Sequence, residues 1–175
     1  MKKIQNQIDG IQEKFKSIFR GSVISTTTTK LMSFIQIADA RARIIIIINS
    51  IIIPFSLSKI SDPAFMPSVI LALITAALSV YAAIMSLYPK QRRKKSLDLL
   101  HFSDIAKLTE SRYRERLKEI FNDYDKLSEA AVKDIYHLSK YILQPKFVWI
   151  KASYLIFIVG YIITLAVVVY TKLHL

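Results

Sequence analysis

The sequence predicts an all-α integral membrane protein with about three transmembrane helices and a helical cytoplasmic segment between the second and third. Apolar residues make up 53% of the 175 residues and charged residues 22%, and the two kinds stand in separate blocks along the chain. Glycine occurs only three times and period-two alternation of apolar residues is scarce, so helices are favoured over strands.

The first predicted element is a cytoplasmic amphipathic segment over residues 1–37. Apolar side chains from Ile4 to Phe19 recur at helical spacing and form one stripe. Such a helix either lies in the headgroup plane of a membrane or packs on another cytoplasmic helix. Charged residues such as Asp9 and Glu13 interrupt the continuous apolar core that a signal peptide requires.

Two local patterns follow this stripe and concern helix boundaries and charge pairing. The polar run from Ser25 to Thr29 has the chemistry of a helix N-cap, so a new helix is expected to start near Thr29. Asp39 and Arg43 lie four residues apart with the acid first, which is the favourable order for an ion pair on one helix.

Long apolar stretches predict the membrane spans, since a helix needs roughly 20 apolar residues to cross the bilayer core. Pro54 is expected to kink or end the first span. The predicted limits are residues 38–88 for a transmembrane hairpin with spans at about 40–58 and 65–88, residues 149–171 for a third span, and residues 172–175 for a periplasmic tail.

Clusters of positive charge predict which side of the membrane each segment occupies. The net charge is +12 at pH 7, and five cations stand within the six residues from Lys90 to Lys95. Lysine and arginine are enriched in cytoplasmic loops, so the N-terminus is predicted inside and the C-terminus outside. The run could instead bind nucleic acid, but it lacks the interleaved aromatic residues that stack on bases, so anionic lipid is expected as its partner.

Residues 89–148 are predicted to be a basic, helical cytoplasmic segment. Thr109 and Ser128 are suited to cap two helices, and Pro145 is expected to break or kink the second at the membrane. The cations from Arg112 to Lys118 fit either a phosphate site or a solvated helix face with intrahelical pairs to neighbouring glutamates.

No enzymatic motif is found, and no enzyme activity, metal or cofactor is expected. The chain contains no cysteine, which excludes disulfides, thiolate catalysis and cysteine-based zinc sites. His101 and Asp104 form a histidine–carboxylate pair at short spacing. It has neither a nucleophile nor a metal-ligating partner beside it, so a structural or ligand-binding role is expected.

Asn49 is a polar residue inside the first predicted span. An amide at that depth either hydrogen-bonds to its own helix or faces other helices, where it forms an oligomer contact or lines a pore. The sequence leaves both interpretations open.

Five separated pieces of the chain, within about residues 35–170, match one known pattern. In chain order they are Ala38-Asp39-Ala40-Arg41-Ala42 with Ile48-Asn49, His101-Phe102, Leu108-Thr109-Glu110 to Tyr113, Asp134-Ile135-Tyr136 with Leu138-Ser139, and Lys146-Phe147 through Ser153-Tyr154 and Phe157 to Gly160. The chain thereby resembles the membrane effectors of the Pycsar anti-phage systems (PycTM). Arg41 stands where that family usually has Lys, and Phe147 stands where it has Tyr.

The resemblance implies a function in anti-phage defence. In such systems a partner cyclase makes a cyclic pyrimidine mononucleotide, cCMP or cUMP, and the effector responds by impairing the bacterial inner membrane, which causes abortive infection. The alternative is a constitutive structural or accessory membrane protein without a nucleotide response. A homo-oligomer is expected and no nucleic-acid partner.

Residue roles follow from the same resemblance as expectations. Candidates for contact with the nucleotide are His101, Arg112, Tyr136 and Lys146. Candidates for coupling the spans or for contact between copies are Asp39, Arg41, Asn49 and Gly160.

Overall fold

The computed structural model describes residues 2–88 and 105–174, and these residues form helices and short turns. The elements are α1 (Lys2–Leu57), α2 (Met66–Leu87), α3 (Glu110–Phe121), α4 (Tyr124–His137), a π-helical segment (Leu138–Leu143) and α5 (Gln144–His174). Within the described residues, α1, α2 and the helical run ending in α5 are long and apolar enough to cross a membrane. The prediction of an all-α membrane protein with three spans is confirmed.

The chain divides into two compact units. The amphipathic unit consists of Met1–Ser33 and Arg92–Lys140, and the transmembrane unit consists of Phe34–Gln91 and Tyr141–Leu175. The transmembrane unit contains the second half of α1, all of α2 and all of α5.

No new helix begins at Thr29, contrary to the expectation from the polar run before it. The Thr28 and Thr29 hydroxyls donate to the carbonyls of Ile24 and Ser25, at 3.0 and 2.9 Å. Because each hydroxyl bonds to the turn before it, α1 continues through the run and no amide there needs a cap. At the other end Pro54 lies in the last turn of α1, which ends at Leu57, as predicted.

The transmembrane unit has mostly small and polar side chains inside and most of its large apolar side chains outside. The buried face of α2 consists of alanine, serine and threonine, together with Val69: Ser68, Ala72, Thr75, Ala76, Ser79, Ala82, Ala83 and Ser86. Large residues such as Ile47, Ile74 and Ile162 are exposed on the outer surface. Small residues allow the backbones of membrane helices to approach closely, while lipid covers the outer apolar side chains.

The amphipathic unit contains α3 and α4. The predicted N-cap residue is confirmed for α3 and wrong for α4. Thr109 occupies the N-cap position of α3, as expected, although its hydroxyl makes no capping bond. α4 is capped by Asp123 and not by Ser128, because the Asp123 carboxylate accepts the backbone N–H groups of Asp125 and Lys126 a turn earlier. The bond from the Lys126 amide is the main cause that lowers the pKa of Asp123.

Of the two outcomes expected at Pro145, a break and a kink, the break is wrong, because α5 runs through the proline. Proline lacks an amide hydrogen and its ring collides with the carbonyl four residues earlier, here that of Tyr141. The π-helical segment Leu138–Leu143 precedes Pro145, and the chain returns to α-helix at Gln144. The wider turn of a π-helix removes the clash and the need for the missing hydrogen bond, so the chain stays helical.

Candidate functional site

Three polar links connect the helices of the transmembrane unit, and the first is an ion pair between α1 and α5. The Lys146 ammonium donates to the Asp39 carboxylate. Lys146 is only 6% exposed, and Ala38, Ala42 and Ile150 of the same two helices belong to a buried apolar cluster. Helical spacing had suggested a pair between Asp39 and Arg43. Among the described residues Asp39 instead pairs with Lys146 of α5.

The second link joins Asn49 of α1 to Tyr161 of α5. Asn49 is completely buried. Its Nδ2 donates to the Ile45 carbonyl at 2.9 Å, and its Oδ1 accepts the Tyr161 hydroxyl at 3.0 Å. The bond to its own helix is therefore present, and the amide also faces α5 of the same chain. A contact with a second copy or a pore at Asn49 stays a prediction. The Tyr161 ring also packs edge-to-face on Phe157, with 4.8 Å between ring centroids.

The third link joins α2 to α5 through two serines. The Ser153 hydroxyl donates to the Ser79 carbonyl at 2.7 Å, and the Ser79 hydroxyl lies 3.2 Å from the Ser153 carbonyl. Further along, Gly160 faces Thr75, and a Cβ at position 160 would lie closer than 3.0 Å to the Thr75 side chain. Gly160 thus serves close packing between two helices of one chain.

The order of these contacts defines the direction of the helices. From Asp39 to Asn49 along α1, the partners on α5 advance from Lys146 to Tyr161, so α1 and α5 run parallel. Along α2 the partners run the other way, from Gly160 to Ser153, so α2 is antiparallel to both. The spans of α1 and α5 therefore start on the same side of the membrane.

A small cavity of about 30 Å³ lies beside Lys146. Its walls include Ser86, Tyr88, Tyr141 and Trp149. A space of this size holds roughly one or two water molecules and is too small for a mononucleotide. With the helices in this arrangement, the cavity can hydrate the Lys146 ammonium but cannot enclose a nucleotide.

Two of the predicted ligand residues lie in the amphipathic unit. Arg112 is exposed on α3, and Tyr136 is exposed on α4. The Lys140 ammonium donates to the Tyr136 hydroxyl at 2.6 Å and lies 5.1 Å from the ring centroid. A cation is thus held at the edge of an exposed aromatic ring. Lys140 was not predicted from the sequence, although its position four residues after Tyr136 places both on one helix face.

The remaining residues predicted for ligand contact or for coupling of the spans do not form one cluster among the described residues. His101 and the basic run from Lys90 to Lys95 lie outside the described residues. Arg41 is exposed on α1. The structure joins Lys146, expected to contact ligand, with Asp39, expected to couple the first span.

The polar partners Ser79, Ser153 and Tyr161 were not predicted from the sequence either. The recurrence of small residues every three or four positions along α2 was the signal for its packing face. In α3 the cation cluster contains an intrahelical pair between Arg114 and Glu110, at 2.8 Å, and both side chains are exposed.

Comparison with known proteins gives a family and a relative. A sequence model of the Pycsar effector protein domain, PycTM, matches residues 24–172. The Pycsar effector protein SaPycTM from Staphylococcus aureus is 28% identical over 138 residues, which cover 75% of this chain and 83% of that protein. No solved structure matches the chain. The matched region contains all three polar links of the transmembrane unit.

Proposed function

This chain belongs to the Pycsar effector family, and on that premise we propose that it responds to cCMP or cUMP by impairing the inner membrane. Membership makes it an anti-phage defence effector of the bacterial membrane. The observation that carries the proposal is the extent of the match, since residues 24–172 include the membrane-crossing helices and the segment between α2 and α5. Loss of membrane integrity would stop an infected cell before new phage matures.

The chemistry inside the transmembrane unit supports a bundle that can rearrange. A buried ion pair contributes little net stability, because desolvation of the two charges offsets their attraction. The Asp39–Lys146 pair and the Asn49–Tyr161 hydrogen bond both join α1 to α5. Such links can exchange partners at small cost, whereas an interlocked apolar core resists movement.

We propose that the nucleotide contacts His101, Arg112, Tyr136 and Lys146. A cyclic mononucleotide presents one anionic phosphate and one flat base. Arginine binds phosphate through two donors, and an exposed tyrosine ring offers a face for base stacking. Within the transmembrane unit, an anion at Lys146 would compete with the Asp39 carboxylate for the ammonium, and Asp39 and Arg41 would pass that change to the first span.

Rearrangement of the spans would then allow the transmembrane helices of neighbouring copies to contact one another. When Tyr161 leaves Asn49, the buried amide needs a new partner, because an unpaired polar group in lipid is costly. A second copy can supply that partner. Displacement at Gly160 would similarly open a small-residue surface on α5.

We place the N-terminus in the cytoplasm and the C-terminus in the periplasm. The starts of the α1 and α5 spans share one side, and Arg41, Arg43 and Lys151 are exposed there, as the enrichment of cations in cytoplasmic segments requires. A phosphatase active only in the periplasm is expected to be active when fused after His174 and inactive when fused after Lys107. The reverse pattern would overturn the proposal, since a cytoplasmic nucleotide could not reach its contacts.

Dye release from vesicles tests the nucleotide response directly. Purified full-length protein in vesicles loaded with a self-quenching dye is expected to release the dye several-fold faster with cCMP or cUMP. Linear CMP and UMP should leave the rate unchanged, because they carry a different phosphate charge and geometry. Equal leakage with every nucleotide would contradict gating, and no leakage under any condition would favour a structural or accessory role.

A pair of arginine variants refines this experiment. Arg112→Gln is expected to raise the nucleotide concentration for half-maximal release about tenfold, because a bidentate phosphate contact is lost. Arg116→Gln on the same exposed helix is the matched control and should leave that concentration unchanged. Identical shifts in both variants would indicate a general charge effect in place of a site at Arg112.

A further inference from the structure

An exposed apolar seam lies on α1 ahead of the region that matches the family. Its members Ile8, Ile11, Phe15 and Ile18 are 42–72% exposed. The family match begins at residue 24, so the seam is additional to the part of the chain on which the proposed function rests. Large apolar side chains exposed in a row along a helix indicate a surface that contacts another protein or a membrane.

The spacing of the seam is that of a coiled coil. Successive apolar positions are separated by four, three, four and three residues, a period of 3.5 that corresponds to alternating d and a positions of a heptad. The next two positions in this series are Ser22 and Ser25, so the seam ends there. In the sequence the series begins at Ile4 and continues through the four exposed members Ile8, Ile11, Phe15 and Ile18.

The residues beside the seam suit a parallel pairing of two identical helices. In such a pair each g position meets the e position five residues later on the other chain. Lys14 then meets Phe19 of a second copy. This pairing opposes no like charges, and a lysine beside an aromatic ring is favourable.

The heptad positions opposite the seam argue against a lipid surface as the occupant. A helix that lies on an anionic membrane presents a face rich in lysine and arginine. In this sequence the positions opposite the seam include Asp9 and Glu13 as well as Lys16 and Arg20. Mixed charges of this kind are typical of the solvated outer face of a coiled coil.

We propose that residues 4–21 of α1 form a parallel coiled coil with the same segment of a second copy. Copies inserted in the membrane with the same topology have their α1 helices running in the same direction, as this pairing requires. The seam is short, but anchoring in one bilayer raises the effective concentration of the second helix. The pairing does not depend on the nucleotide response.

Cysteine cross-linking of the full-length protein in vesicles tests the pairing. The chain has no cysteine, so each introduced thiol is unique. Ile18→Cys lies in the seam, where equivalent side chains of two parallel helices approach disulfide distance, and Arg20→Cys lies on the opposite face. We expect about fivefold more oxidised dimer for I18C than for R20C without any nucleotide present, because only the seam brings two thiols together.

A second variant and a lipid probe identify what covers the seam. Adding Ile11→Asn and Phe15→Asn to I18C should lower its cross-linking to the R20C level, because two seam layers are lost. These side chains are exposed within one chain, so the variant should still insert. Equal cross-linking of I18C and R20C would overturn the proposal. So would quenching by brominated lipid, without dimer, of a fluorophore attached to the thiol of I18C, which would assign the seam to the membrane.

Discussion

Replacing Lys146 by methionine is expected to lower the free energy of unfolding by about 3 kcal/mol. Methionine keeps most of the length of the side chain but removes the charge, and the Asp39 carboxylate loses its partner in a low-dielectric setting. Removing one partner of a buried ion pair typically destabilises a protein by about 3–5 kcal/mol. We expect a loss at the lower end of this range, because the Asp39 side chain retains 25% exposure. Unfolding of the purified protein in detergent, followed by thermal denaturation, measures the loss.

Three further variants separate the pair from general charge effects. Arg43→Met removes an exposed cation four residues from Asp39 and is expected to change stability by less than about 0.5 kcal/mol. Asp39→Leu with Lys146→Met should restore most of the stability, since a buried pair can be replaced by apolar residues at little cost. This double variant should nevertheless fail to release dye with nucleotide. If K146M and R43M behaved alike, the buried pair would have no special role.

Replacing Gly160 by alanine is expected to destabilise the protein by about 2 kcal/mol. The new methyl group would overlap the Thr75 side chain, whose branched Cβ cannot turn aside, so α2 and α5 must separate. Separation would also stretch the Ser79–Ser153 hydrogen bonds along the same interface. Thermal denaturation in detergent detects the change.

The same substitution elsewhere provides the control. Apart from the neighbouring backbone of its own helix, no atom of the described residues lies within 4 Å of the position that a Cβ at Gly21 would occupy. Gly21→Ala should therefore stabilise α1 by about 0.5–1 kcal/mol, since alanine favours helix. Thr75→Gly combined with Gly160→Ala should recover much of the loss, because the overlapping atoms are gone. Destabilisation by G160A that T75G fails to relieve would show that the contact with Thr75 is not its cause.

Helix boundaries show the limits of predicting structure from local sequence patterns. The hydroxyl run before Thr29 suggested a helix start, yet serine and threonine bond equally well to a preceding carbonyl inside a helix, as Thr28 and Thr29 do. Pro145 suggested a break or a kink, yet the chain stays helical through it, after a π-helical segment. In both cases the residue permits two local structures, and the rest of the chain selects one.

The membrane-crossing helices and their order could be predicted from the sequence alone. Hydropathy and charge are properties of single residues in their solvent, and their effects add along each helix. Asp39, Asn49, Lys146 and Gly160 were also singled out, Asn49 as a polar residue inside a span and Gly160 through the resemblance to the family. Their partners emerged only from the tertiary structure. Helical spacing shows which side chains share a face, but the helix that this face meets, 107 residues away for Asp39, depends on packing of the whole bundle.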